Sequence, residues 1–241
     1  MKSPVLPDQN RSERTRDRII RAAAREFSAH GLAGARTEAI ARRARVNKAM
    51  LYYYFKSKDD LYAAVLEKVA KKVMENNLVA LRRECSEGER LLRVVLNHFD
   101  RILTQREFQN LMQQEMVRFH KGEGALPILA EHIFRPMMAE LEKIVRAGMR
   151  KGELCRGDWM QIIYAALGAN VFYFLSAPLM RMMTAIDPFS TAALESRRKA
   201  ALEFLGSALF VDRTHGISLA KHVLSEIPMP APVKFPSRRT A

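Results

Sequence analysis

Cysteine is scarce in this chain: Cys85 and Cys155 are the only two, and they stand far apart with no cysteine partner nearby. That spacing offers neither a zinc site nor a disulfide framework, and it suits a reducing compartment. Catalytic motifs are missing too. There is no G-x-S-x-G, Walker-type loop, H-E-x-x-H or C-x-x-C, so nucleophile, phosphate cradle and metal-bound water all lack their usual spacing, and an enzyme is not expected. No apolar run approaches the roughly 18 residues that span a bilayer. The longest, Ile162 to Leu175, is interrupted by Tyr164, Gly168, Asn170 and Tyr173. The opening MKSPVLPDQN has no apolar signal core. Alternating strand patterns and internal repeats are absent as well, which leaves an all-α protein as the expected class.

Acidic residues are in the minority: 26 Asp and Glu face 40 Lys and Arg over 241 residues, for a formal charge of +14. Residues 1–60 hold fourteen Lys and Arg against seven Asp and Glu, so half of the excess sits in a quarter of the chain. A basic head of this kind steers toward a polyanion and binds it in a salt-dependent way. An anionic membrane surface would exploit the same charge, but no stretch pairs a lysine-rich face with a strong insertion face.

The segment Thr37 to Leu61, TEAIARRARVNKAMLYYYFKSKDDL, shows how such a head would work. Thr37 reads as an N-cap followed by Glu38, where a negative charge suits the helix dipole. Ala39, Ile40 and Ala44 supply a small apolar face; Arg42, Arg43 and Arg45 read as a solvated positive edge. Asn47 reads as the next N-cap. From Lys48, Leu51 and Phe55 fall at i, i+4 on one buried side and leave Lys48, Ala49, Tyr52 and Tyr53 exposed. Ser57 caps a further helix, with Asp60 three residues on. Two short helices joined by a tight turn make a helix-turn-helix, whose second helix enters the DNA major groove. Packing of Tyr52 or Tyr53 into the core is the competing reading of those tyrosines, and Tyr54 is read against the first helix.

These residues carry a resemblance. Residues 14–69, with FSAHG (Phe27 to Gly31), Thr37, Ile40-Ala41, Val46 and LYYYFKSKDDL (Leu51 to Leu61), resemble the N-terminal domain of TetR-type (TetR/AcrR) transcriptional regulators. The match covers about a quarter of the chain. It implies DNA contacts residue by residue: Thr37 holds a phosphate, Lys48 reads a base edge, Ala49 and Met50 meet a thymine methyl, Tyr52 and Tyr53 touch phosphate and bases, and Lys58 clamps a phosphate. Two positions depart from the pattern. Arg45 stands where the turn usually has glycine, implying a left-handed residue that bears a side chain, and Met50 replaces a small polar residue.

The expected organisation is a flexible basic arm over 1–12, a three-helix helix-turn-helix domain over 13–60, a helical effector-binding and dimerisation domain over 61–227, and a disordered proline-rich basic tail over 228–241. Helices are expected over 14–30, 58 to about 85, from Ser86 onward, 106–120, 128–151, and from Asp158, with breaks at KGEGALP and KGELCRGD. Two late helices, about Asp158 to Met182 and Ser190 to Phe210, are candidates for a homodimer interface, because the first is too apolar around its circumference to face water alone. Pro178 should kink or end it. Completion of the monomer core is the plainer alternative for both.

Candidate effector contacts are Met112, Met116, Phe119, His120, Phe134, Met138, Asn170 and Tyr173, since methionine and aromatic side chains suit a flexible hydrophobic molecule. A stripe of that kind at helical spacing is more often plain core. His120 and His132 lack carboxylate or cysteine company, so no metal and no cofactor are expected. The resemblance then implies a cytoplasmic, nucleoid-associated repressor that binds a palindromic double-stranded operator as a homodimer, away from membranes, and leaves it when a small, mainly hydrophobic ligand binds. A ligand-dependent activator or a non-enzymatic helical interaction module are the alternatives.

Overall fold

The computed structural model describes residues 7–81, 84–120 and 122–231, apart from the side chains of residues 7–10, 73–74, 76–80 and 106. Among the described residues there are eleven α-helices and no strand: α1 (Pro7–Gly34), α2 (Thr37–Ala44), α3 (Lys48–Tyr54), α4 (Lys58–Leu81), α5 (Glu87–Thr104), α6 (Arg106–His120), α7 (Leu126–Leu129), α8 (Arg135–Arg150), α9 (Trp159–Met183), α10 (Thr191–Leu209) and α11 (Arg213–Glu226). A π-helical turn, Ala130–Phe134, separates α7 from α8. The chain divides into two compact units, residues 1–73 with 107–134 and residues 74–106 with 135–241.

In the first unit the helical spacing of Ile19, Ile20, Ala23 and Phe27 places all four side chains in the core, with Ile40, Leu51, Leu61, Val65 and Leu66. Phe27 meets Tyr62 of α4 edge to face at 4.9 Å between centroids. Polar side chains tie α6 to α1: Asn110 Nδ2 donates to Ser28 Oγ at 3.2 Å and Gln114 Nε2 to the Ser28 carbonyl at 3.3 Å. The unit therefore reaches beyond residue 60, the boundary expected from the sequence. Its start differs too. Residues 7–12, expected as part of a flexible arm, are the first turns of α1; Pro7 suits a first helical position because its missing N–H is one that needs no partner there.

The second unit packs α5, α8, α9, α10 and α11 around Leu91, Leu92, Val95, Leu96, Leu141, Ile144, Val145, Ile163, Leu202 and Val223. Two ionic links, each centred on a buried arginine, brace it. Arg198 donates from Nε and Nη2 to the two oxygens of Asp100, both at 2.8 Å, and the Arg93 guanidinium bridges Glu89 and Glu226. Helix α11 had no counterpart among the expected elements. Asp212 Oδ1 caps it, accepting from the Thr214 and His215 backbone N–H groups at 2.9 and 3.0 Å.

Three further expectations are corrected. The helix expected over 128–151 is broken into α7, the π turn and α8. Pro136 explains the interruption: it offers no N–H and its ring crowds the carbonyl four residues back, which a wider turn relieves. Helix α9 runs through Pro178 to Met183, within a residue of the expected end at Met182. Its 25 residues are long and apolar enough to cross a membrane by length and composition, contrary to the reading that no such run exists; only 22% of the most apolar stretch is buried within this chain. The long helix expected to reach about residue 85 ends at Leu81, with residues 82–83 outside the described residues. The tail expectation falls mostly on residues 232–241, also outside them; residues 228–231 have no regular structure.

Candidate DNA interface

The short helices α2 and α3 are held by their ends. Arg36, in extended conformation, is the N-cap of α2 and makes no side-chain capping bond, while Thr37 is the first helical residue, correcting its expected role as the cap. The cause lies ten residues earlier, on α1: the Glu26 carboxylate already accepts from the Arg36 N–H at 3.3 Å and fixes the entry. Thr37 is buried and its hydroxyl donates to Glu38 Oε2 at 3.4 Å. At the other end Arg45 adopts the left-handed conformation, φ 54° and ψ 47°, as the glycine-like position requires. The Val46 N–H reaches back to the Ala41 carbonyl at 3.0 Å and closes the helix.

Asn47 then starts α3, its Oδ1 accepting from the Met50 N–H at 2.7 Å. Leu51 and Phe55 are buried as their spacing demands. The opposite face is open: Lys48, Ala49 and Met50 are exposed, Tyr52 is 39% and Tyr53 83% exposed. Core packing, the competing reading for those two tyrosines, is not what they do. Tyr54 turns toward α1, its hydroxyl 3.2 Å from Ser12 Oγ. Ser57 Oγ accepts from the Asp60 N–H at 3.0 Å and caps α4.

Two of the basic candidates are already engaged. Lys48 Nζ donates to Glu38 Oε1 at 2.5 Å; this contact holds the Glu38 carboxyl below its usual range and raises the Lys48 ammonium above its own. Lys58 Nζ donates to the Ala33 carbonyl at 3.1 Å. Both ammonium groups are surface contacts that a phosphate or guanine edge can replace at little cost.

The eight effector candidates do not share one unit. Met112, Met116, Phe119, His120 and Phe134 belong to the first and Met138, Asn170 and Tyr173 to the second. Met112 is buried, whereas Met116 and Phe119 are about half exposed and His120 is exposed. Asn170 is buried, and its Nδ2 donates to the Val95 carbonyl at 3.0 Å. Tyr173 donates its hydroxyl to the Pro188 carbonyl at 2.7 Å, and burial raises its pKa. Around it Phe99, Phe174 and Phe189 form an aromatic group, with the Arg197 guanidinium over the Tyr173 ring. Sequence reasoning missed this group because its members come from α5, α9 and the turn before α10.

A possible cation site also went unseen: Glu89, His222 and Glu226 bring ligand atoms within 4.8 Å of one another. Arg93 already supplies the positive charge between the two carboxylates.

A basic helix-turn-helix with an open recognition face, carried on a larger helical body, defines a DNA-binding transcriptional regulator. The chain belongs to the tetR family of bacterial regulatory proteins: residues 19–65 match that family's N-terminal description and residues 88–205 match a tetracyclin repressor-like C-terminal domain. It is 34% identical over 174 residues to the HTH-type transcriptional repressor NicS of Pseudomonas putida, a match spanning 69% of this chain and 77% of that protein. The HTH-type transcriptional repressor SCO4008 of Streptomyces coelicolor is 52% identical over 56 residues, 23% of this chain and 29% of that protein. In fold it is similar to a transcriptional regulator from Saccharomonospora viridis solved in complex with choline, with a TM-score of 0.65 at 16% identity over 81% of this chain and 97% of that one.

Proposed function

We propose that the protein is a repressor that binds a palindromic operator as a homodimer in the cytoplasm and is released when a small, mainly hydrophobic effector occupies its C-terminal body. The observation that carries this reading is the open face of α3, where Lys48, Ala49, Met50, Tyr52 and Tyr53 stand together on one exposed helix of a basic head. Lys48 donates to guanine, Ala49 and Met50 meet thymine methyls, the two tyrosines reach phosphate and base edges, and Thr37 and Lys58 fix the register on the backbone.

The second copy would cover α9. Tyr164, Phe172, Leu175, Leu179, Met182 and Met183 are exposed along it, an apolar surface that water does not favour. A twofold pairing there presents two recognition helices to successive major grooves, about 34 Å apart. Repression by relatives such as NicS supports the sign of regulation, and a choline complex in a protein of like fold supports a small-molecule effector. The effector must favour the DNA-incompetent state. Helix α4 runs from the head into the body and is the element that would transmit the change.

Selection of genomic fragments by the purified protein, followed by gel shift, tests the proposal. Recovery of a site with two half-sites about one helical turn apart is the expected result. A protein that retards no duplex, or only indifferently to sequence, would end it.

A further inference from the structure

The first unit holds a second basic feature, outside the residues assigned to operator contact. Arg18, Arg21 and Arg25 of α1 and Arg43 and Arg45 at the end of α2 converge with Ala22 and Ala44 on an open cleft of about 300 Å³. The α1 residues follow an i, i+3, i+7 spacing that puts them on one face of the helix. Arg21 and Arg25 have only loose ion pairs, to Asp17 at 3.7 Å and to Glu107 at 3.6 Å. No carboxylate lies within 4 Å of the Arg18, Arg43 or Arg45 guanidinium among the described residues.

Arg45 adds an independent sign. It is the only non-glycine residue with positive φ among the described residues, and a side chain in that conformation costs about 1 kcal/mol relative to glycine. Its neighbour's role at the helix end needs no guanidinium, since the Val46 N–H closes the turn through backbone alone. A strained position that keeps a long cationic residue on the lining of a concave group of like charges points to a ligand for that charge.

We propose that this cleft binds phosphate oxyanions. Several guanidiniums from two helices can each offer paired N–H donors to phosphate oxygens, and a multiply charged occupant removes the repulsion among them. The phosphate groups come either from the backbone of the bound duplex, outside the base-reading contacts, or from a free polyphosphate compound; the two sources are separable by experiment.

The full-length protein and its Arg45→Gly, Arg43→Ala and Arg42→Ala variants are compared in two titrations. Arg45→Gly relieves the strained backbone and so should melt no lower than the parent, which separates lost binding from lost fold. Arg42 is exposed beside the cleft but does not line it, so its removal reports general charge loss. In calorimetry with tripolyphosphate and no DNA, a free-compound site predicts at least tenfold weaker binding for Arg45→Gly and Arg43→Ala and less than twofold for Arg42→Ala. In operator binding against salt, a duplex source predicts that each cleft variant shallows the log–log slope by about one, with base preference unchanged. Either pattern supports the proposal. If tripolyphosphate binding and salt slope are both unmoved by the cleft variants, or if Arg42→Ala acts as strongly as they do, there is no phosphate site and only a diffuse positive surface.

Discussion

At Lys48 one side chain has two partners to choose between. The structure pairs it with Glu38 at 2.5 Å on an exposed surface, and an exposed ion pair contributes little to stability, so exchange for a guanine edge is cheap. Lys48→Ala should relax base preference at one operator position, whereas Lys58→Ala should weaken all sequences alike and shallow the salt dependence by about one; gel-shift titrations on matched operator variants distinguish them, and equal effects of the two changes would refute the assignment. His98 makes a different prediction. Desolvation, reinforced by the nearby Arg101 charge, lowers its pKa to about 3, so it stays neutral in the fold while the unfolded chain binds a proton below about 6.5. The unfolded state then holds more protons, and stability falls as pH drops from about 6.5 toward 3 by up to about 1.4 kcal/mol per unit. Urea midpoints between pH 7 and pH 5 should show this slope in the parent and a shallower one in His98→Gln. Lys48, Tyr52 and Tyr53 were legible from spacing alone because a seven-residue helix with one buried side leaves only one face. His98 was not, since its neutrality depends on a surrounding that α5 shares with Asn170 of α9.

Helix ends were the most readable elements and helix partners the least. Asn47, Ser57, Ser86 and Asp158 all cap the helices expected of them, through oxygens that accept from backbone N–H groups two or three residues on. Capping is local, so the local sequence carries it. Helix α11 went unread because its pattern around Gly216, Ala220 and Val223 is muted, and its place is fixed by a close crossing with α10. A Cβ added at Gly216 would lie 2.0 Å from the Gly206 carbonyl oxygen, and one at Gly206 would lie 2.4 Å from the Gly216 carbonyl oxygen. Backbone cannot yield as a side chain does. Gly216→Ala should therefore destabilise the protein by about 1–3 kcal/mol, read as a lowered chemical-denaturation midpoint with unchanged slope; a neutral result would mean that the two helices do not approach this closely.

For the whole molecule the decisive surface is α9, apolar in composition yet largely uncovered within one chain. Phe172, 67% exposed, and Leu175, 58% exposed, are suitable probes because neither belongs to the core. With α9 as the proposed dimer seam, Phe172→Asp with Leu175→Asp should give a monomer by light scattering and lower operator affinity by at least tenfold, since each half-site would then be bound singly. A double variant that stays dimeric would place the interface elsewhere.

The sequence by itself determined the all-helical class, the basic head and the exposed face of α3, since these rest on spacings of a few residues, on capping chemistry and on charge, all of which act locally. Tertiary structure alone decided that α6 packs with the head, that α11 lies across α10, and that five arginines from α1 and α2 meet in one cleft. These arrangements depend on which faces approach closely in space, and residues distant along the chain carry no mark of that approach until the backbone brings them together.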